Sequence, residues 1–130
     1  MAISNIQETL LMYTKQKATI NDELATIALN ITSATRQNAD IQAQYNSELQ
    51  TYYYEYYEDD PTTYYDLVEV LNQEHELDLA NLESWESELE LEQSNYETQL
   101  NEITSYESSW QKLLQTNIKN DFTYGGQSSS

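Results

Sequence analysis

The stretch YYYEYYEDDPTTYY, residues 52–65, decides how this chain folds. It holds the only proline of the chain, seven of its twelve tyrosines and a run of three acidic residues. No glycine occurs before Gly125, so this stretch contains the only strong helix breaker up to that point. Proline is favoured at the first position of a helix, and an aspartate just before it can cap that end. Asp60-Pro61 therefore predicts a turn that is followed by the start of a second helix.

The chain before the turn carries an apolar stripe that advances by alternating steps of three and four residues, from Ile3 to Tyr52. Twelve of the fifteen positions on this stripe are apolar or aromatic. Such a seven-residue repeat is the seam of a coiled coil, which needs a second helix to cover it. The polar exceptions are Lys17, Asn38 and Glu48. Polar residues on a seam cost stability but fix the register of the two helices, and we predict this role for Lys17 and Asn38.

The same stepping continues after the turn, from Tyr64 to Asn117, and passes through the single histidine, His75. If the chain folds back near residue 60, apolar positions face each other when their numbers sum to about 121. Lys17 and Arg36 then lie beside acidic residues of the second arm. The sequence therefore predicts an all-α protein: a long antiparallel two-helix coiled-coil hairpin. Helix 1 is expected over about 3–57, the turn over about 58–61 and helix 2 over about 61–119.

Two other architectures fit the pattern less well. Weak helical segments at residues 30–35 and 93–95 would, if they broke, give four shorter helices in a compact four-helix bundle. Alternatively, two hairpins would pair into a four-helix bundle through apolar residues beside the seam, such as Leu67, Leu79 and Leu100. In every case, residues 1–120 form the helical domain, and the Gly/Ser-rich residues 121–130 are predicted to be a disordered tail.

Charge narrows the classes of partner. The net charge is −18, of which residues 1–50 carry −2 and residues 51–130 carry −16. Nucleic-acid binding needs a basic face, and an anionic membrane repels acidic chains, so neither partner is expected. No apolar run approaches the ~20 residues of a membrane span, and the N-terminus lacks the features of a cleaved signal peptide. We expect a cytoplasmic protein, or one exported without a cleaved signal.

Nothing in the sequence indicates catalysis. The chain has no cysteine, no glycine-rich phosphate loop and no nucleophile motif. His75 has acidic neighbours, but a di-iron bundle needs a second histidine, so we predict that His75 is a register-setting seam residue. A two-stranded coil also lacks the apolar pocket that small-molecule sites need. No catalytic residue, metal or cofactor is predicted.

The tyrosines carry the main functional hypothesis. On one helix Tyr53, Tyr54 and Tyr57 cannot all face inward, and exposed aromatic patches usually mark contacts. We predict a partner-binding tip, whose residues are Tyr53, Tyr54, Tyr57, Tyr64 and Tyr65. The alternative is that these rings only cap the end of the coil. We predict that the chain is a non-enzymatic structural or adaptor protein. It would bind a protein partner, whose surface could be basic, or it would bind itself as a homo-oligomer.

Two further functions fit the sequence. Small helical hairpins exported without a cleaved signal are similar in size and shape, which suggests a component of a bacterial secretion system, cell surface or viral particle. The Trp-x-Gly turn that defines one such class is absent here, and no family membership is inferred. The other function is an acidic mimic of nucleic acid. Glu76, Glu83, Glu90 and Glu97 recur every seven residues, although this is also the ordinary solvated face of a coiled coil.

Overall fold

Two long helices form the described part of the protein. The computed structural model describes residues 2–128, with side chains for residues 2–121. Helix α1 spans Ile3–Tyr56 and helix α2 spans Pro61–Ser128, and the two pack against each other in an antiparallel helical hairpin. The predicted fold is confirmed. The alternative with breaks at residues 30–35 and 93–95 is wrong, because both segments are helical throughout.

The predicted helix boundaries differ from the observed ones mainly at the end of α2. Helix α1 ends at Tyr56, one residue before the predicted end, and α2 starts at Pro61 as predicted. Helix α2 continues to Ser128, past the predicted end near residue 119. The predicted disordered tail over residues 121–130 extends outside the described residues and stays a prediction.

The turn between the helices is held by Asp60. The backbone N–H of Thr63 donates to Oδ1 of Asp60 at 3.2 Å, and the Thr63 hydroxyl donates to Oδ2 at 2.6 Å. The carbonyl oxygen of Asp60 accepts the first helical hydrogen bond, from the N–H of Tyr64. These are the contacts of a helix N-cap, and they satisfy donors that the first turn of α2 would otherwise leave unpaired.

The chain divides into two compact units. The turn unit comprises Ile27–Glu92, and the end unit comprises Met1–Thr26 together with Gln93–Ser130. Five buried apolar residues form the core of the turn unit: Ile27, Ala34, Leu71, Leu82 and Leu89. In the end unit, the buried residues among those described are Ile6 and Ile20, both on α1. The four buried residues of α1 are separated by multiples of seven, as a coiled-coil seam requires.

The core face of α2 differs in part from the predicted stripe. Every second position of the predicted stripe between residues 78 and 113 lies seven residues from the next: 78, 85, 92, 99, 106 and 113. Five of these six positions are exposed, and the residue that follows each of the six is half-buried instead. The shift partly buries Leu79, Leu100 and Leu114 and leaves Asp78 and Glu92 in water. It also half-buries Glu86 and Glu107, the second of which pairs with Lys17. Burying a leucine is favourable by about 1.5–3 kcal/mol, whereas burying an unpaired carboxylate is costly. Leu67, Leu79 and Leu100 are thus half-buried in their own hairpin, so they are not the exposed residues predicted to join two hairpins.

One ion pair joins the helices within the end unit. Nζ of Lys17 lies 3.0 Å from Oε1 of Glu107, and the two side chains are only 30% and 17% exposed. The predicted meeting of Lys17 with acids of the second arm is therefore confirmed. Arg36 forms no ion pair among the described residues, although one was predicted. Arg36 is exposed, and an exposed pair gains too little to hold a long side chain in one conformation.

Candidate functional site

The five tyrosines of the predicted tip form one continuous cluster in the turn unit. Tyr53 stacks on Tyr57 with ring centroids 4.6 Å apart, and both rings meet Tyr64 edge-on, at 6.0 Å and 5.3 Å. Tyr54 contacts Tyr53 at 5.8 Å, and Tyr65 contacts Tyr64 at 5.2 Å. Stacked and edge-to-face pairs at these distances are favourable arrangements for aromatic rings. The cluster therefore joins the last turn of α1 to the first turn of α2.

The cluster has an inner and an outer part. Tyr64 is half-buried, whereas Tyr54 is 82% exposed and Tyr65 is 60% exposed. Tyr52 and Tyr56, which follow the seam, are half-buried and lie outside this set of ring contacts. Cluster residues that only capped the coil would cover the seam, but Tyr54 and Tyr65 present most of their surface to water. The outer rings are therefore free to contact a second molecule.

Exposed carboxylates lie next to these tyrosines in the sequence. Five exposed acidic residues lie in the turn or within two residues of a cluster tyrosine: Glu55, Glu58, Asp59, Asp60 and Asp66. The hydrogen bonds from the Thr63 hydroxyl and from the Thr63 N–H lower the pKa of Asp60 below 3.8. Asp60 therefore stays ionised at neutral pH. We refer to the five tyrosines and these five acids as the tyrosine tip.

The acidic character extends over the whole turn unit. This unit holds 16 acidic residues and one basic residue, Arg36, which gives a net charge of −15. The end unit holds seven acidic and four basic residues, which gives −3. Division of the sequence at residue 50 gives a similar contrast, but it assigns the charges differently, because the end unit combines residues from both ends of the chain. The tyrosine tip thus lies in the unit that attracts cations.

The three predicted register-setting residues occupy different environments. Lys17 is half-buried in the ion pair with Glu107. His75 is half-buried and stacks on Tyr45, with ring centroids 4.2 Å apart, and the Tyr45 hydroxyl donates to Oδ1 of Asn72. The numbers of Tyr45 and His75 sum to 120, which matches the predicted register closely. Asn38 is exposed, in a segment of α1 from residue 35 to 40 that lies entirely in water. The register-setting role itself stays a prediction for all three.

The structure also contains a surface that sequence reasoning missed. An open groove of ≈ 680 Å³ runs between the helices of the end unit, with Leu11, Met12 and Ile103 among its lining residues. Leu11 is 54% exposed and Met12 is 46% exposed. The signal was present in the sequence, since Leu10, Leu11 and Met12 are consecutive and only Leu10 lies on the predicted stripe. Many exposed hydrophobic residues of this kind indicate a binding surface.

Within residues 2–121, no three acidic or histidine side chains are grouped so that they could hold a metal ion. None of the described helical segments has the apolar length that crossing a membrane requires. Comparison of the chain with protein-family models, curated proteins and solved structures finds no significant match.

Proposed function

We propose that this protein is a non-enzymatic adaptor whose tyrosine tip binds an arginine-bearing basic surface of a protein partner. The observation that carries the proposal is the continuous cluster of tyrosines, with outer rings exposed and with exposed carboxylates close to them in sequence. Tyrosine supplies large contact area at low entropic cost and is enriched at protein interfaces.

The combination of rings and acids favours arginine over lysine. A guanidinium group is planar, stacks on an aromatic face and pairs with a carboxylate through two parallel hydrogen bonds. An ammonium group is a compact, strongly hydrated charge, which gains less from stacking. At the tip an arginine can lie over Tyr54 or Tyr65 while it pairs with Glu55, Glu58 or Asp66.

The first test measures peptide binding by fluorescence anisotropy. The probes are two labelled peptides of eight residues, one of arginine and one of lysine, added to the full chain. We expect the arginine peptide to bind the native chain at least about fivefold more tightly, because stacking adds about 0.5–1 kcal/mol for each exposed ring. Substitution of both outer rings, Tyr54→Ala with Tyr65→Ala, is expected to remove this preference, because both peptides keep the same electrostatic attraction.

Leu91→Ala is the matched control, since Leu91 is an exposed apolar residue of the same unit that lies far from the turn in sequence. It should leave both affinities unchanged. Equal affinity of the native chain for the two peptides would contradict the proposal. Capture of a DNA-binding protein that is unaffected by the tyrosine substitutions and is displaced by duplex DNA would favour the nucleic-acid mimic instead.

A further inference from the structure

The end unit carries an apolar face that its own hairpin does not cover. Leu11 and Met12 on α1 lie beside Ile103 on α2, and they line the same groove. Tyr106 and Leu113 are exposed and follow the groove residue Gln99 at intervals of seven, so they continue its row along α2. Helix α2 contributes no buried side chain to the end unit among the residues described. This unit therefore has few buried side chains, and the apolar surface beside them remains exposed to water.

The width of the apolar stripe on α2 points to a bundle of more than two helices. In the end unit, apolar residues of α2 fall on three rows of the seven-residue repeat, although each row also contains polar residues. One row runs through Ile103 and Trp110, a second through Leu100 and Leu114, and a third through Tyr106 and Leu113. Between residues 93 and 117, every position of the first two rows is half-buried, including the polar ones, and the third row is exposed. A stripe this wide is typical of helices in bundles, whereas a two-stranded coil uses two rows.

The charges on the groove are arranged so that the face is complementary to itself. Glu8 and Lys15 both line the groove and lie on either side of Leu11 and Met12. When two copies of α1 cross antiparallel about a two-fold axis between residues 11 and 12, contacting residues have numbers that sum to 23. Glu8 then faces Lys15 of the second copy, and Leu11 faces Met12 of the second copy. A two-fold interface requires this self-complementarity.

Two other observations are compatible with a second copy at this face. Neither Glu8 nor Lys15 takes part in an ion pair within the described part of the chain. The end unit has a net charge of only −3, so two such units repel each other weakly, whereas two turn units at −15 would repel strongly. We propose that the apolar face of the end unit, centred on Leu11 and Met12, is a two-fold interface between two copies of this chain. The proposal is independent of the tyrosine tip.

The test reverses the charges of Glu8 and Lys15, singly and together. Sedimentation velocity over a range of concentrations measures dimerisation of the full chain. Glu8→Lys alone and Lys15→Glu alone each replace two attractive contacts by two repulsive ones. Each is expected to weaken dimerisation about three- to tenfold, which is the range for exposed pairs. The double variant, Glu8→Lys with Lys15→Glu, should dimerise like the native chain.

A mixture of the two single variants gives the sharpest outcome. A mixed pair has opposite charges at both contacts, so the mixture should form dimers more readily than either variant alone. Met12→Asp is expected to weaken dimerisation at least about tenfold, because it places a charge among apolar side chains. Leu29→Asp is the matched control, since Leu29 is an exposed apolar residue of α1 in the turn unit, and it should have no effect.

Three results would overturn the proposal. They are a native chain that stays monomeric at concentrations of several hundred micromolar, single variants that dimerise as well as the native chain, and a mixture that shows no recovery. Loss of dimerisation with intact peptide binding at the tip would support this interface and leave the tip unaffected. Variants of the end-unit face that bind the peptide and dimerise as the native chain does would exclude the interface and leave the tip unaffected.

Discussion

Asp60 is the residue on which the start of α2 depends. Its two carboxylate oxygens accept hydrogen bonds from the backbone and the hydroxyl of Thr63, and its carbonyl oxygen begins the helical hydrogen-bond ladder. Asn would keep a cap of similar shape without the charge, whereas Ala would leave the first N–H groups without an acceptor. One side chain therefore sets the point at which the chain leaves the turn.

We expect the contribution of Asp60 to stability to depend on pH. Its pKa in the folded chain is lowered from 3.8 by the hydrogen bonds from Thr63, so its stabilising effect is complete above that value. The effect is lost as pH falls through the lower, folded pKa. Urea unfolding of the native chain and of Asp60→Asn at about pH 7 and about pH 2 isolates this group from the other acids. The advantage of the native chain should be smaller at the lower pH.

Asp60→Ala serves as the control for the cap itself. It should have a lower midpoint of unfolding than Asp60→Asn at both pH values, because it lacks any acceptor for the Thr63 N–H. An advantage of the native chain over Asp60→Asn that stays constant down to about pH 2 would contradict the role assigned to the carboxylate.

The pairing of the two helices could be predicted from the sequence to a large extent. The single proline located the turn, and the seven-residue repeat of α1 located the buried residues Ile6, Ile20 and Ile27. The face that α2 turns towards α1 could not be predicted in the same way, because two stripes with apolar residues run along that helix. The alternation of three and four residues can be drawn through Asp78 or through Leu79. The folded chain partly buries the row through Leu79, which holds more leucine. The same ambiguity hid the exposed row of Tyr106 and Leu113.

The tip was predictable for a different reason. Tyrosines that follow one another in sequence cannot all face one side of a helix, so exposure of some rings follows from helix geometry alone. The contact of Tyr53 and Tyr57 with Tyr64, in contrast, requires knowledge of how the turn brings α2 back to α1. The assignment of the acidic residues to the two units likewise becomes known only once the chain has folded back.

The ion pair of Lys17 with Glu107 provides a test of what holds the two helices together in the end unit. Glu107→Gln leaves a half-buried ammonium group without its carboxylate, and we expect it to lower the free energy of unfolding by about 1–2 kcal/mol. Replacing both residues by leucine should restore the stability or raise it above the native value, because apolar residues avoid the cost of desolvating two charges. Urea unfolding measures both changes.

Glu102→Gln is the matched control, because Glu102 is an exposed acid of the same helix and its change in charge is the same. It should change the free energy of unfolding by less than about 0.5 kcal/mol. If Glu107→Gln behaved like Glu102→Gln, the ion pair would contribute nothing measurable to the hairpin.

At the scale of the whole molecule, the net charge of −18 opposes folding. Fifteen of these net charges lie in the turn unit, where the buried core consists of five residues. Carboxylates held on one hairpin repel one another more than they do in the expanded unfolded chain. The apolar seam has to overcome this repulsion, which salt reduces.

We therefore expect salt to stabilise the native chain. Raising sodium chloride from about 20 mM to about 500 mM should increase Tm by several degrees, because the screening length falls from roughly 20 Å to roughly 4 Å. Circular dichroism at 222 nm follows the transition. The triple variant Glu76→Gln, Glu83→Gln and Glu90→Gln, at exposed positions of the turn unit, should start from a higher Tm at low salt and gain less. A Tm of the native chain that falls with salt would contradict this account.

The uneven charge of the two units also affects the way in which the protein meets other molecules. A cationic surface attracts the turn unit, at −15, far more strongly than the end unit, at −3. Attraction at long range therefore acts mainly on the unit that carries the tyrosine tip and raises the rate at which that unit meets the surface. Association with such a surface should be fast at low ionic strength and slow at high ionic strength, while the rate of dissociation changes little.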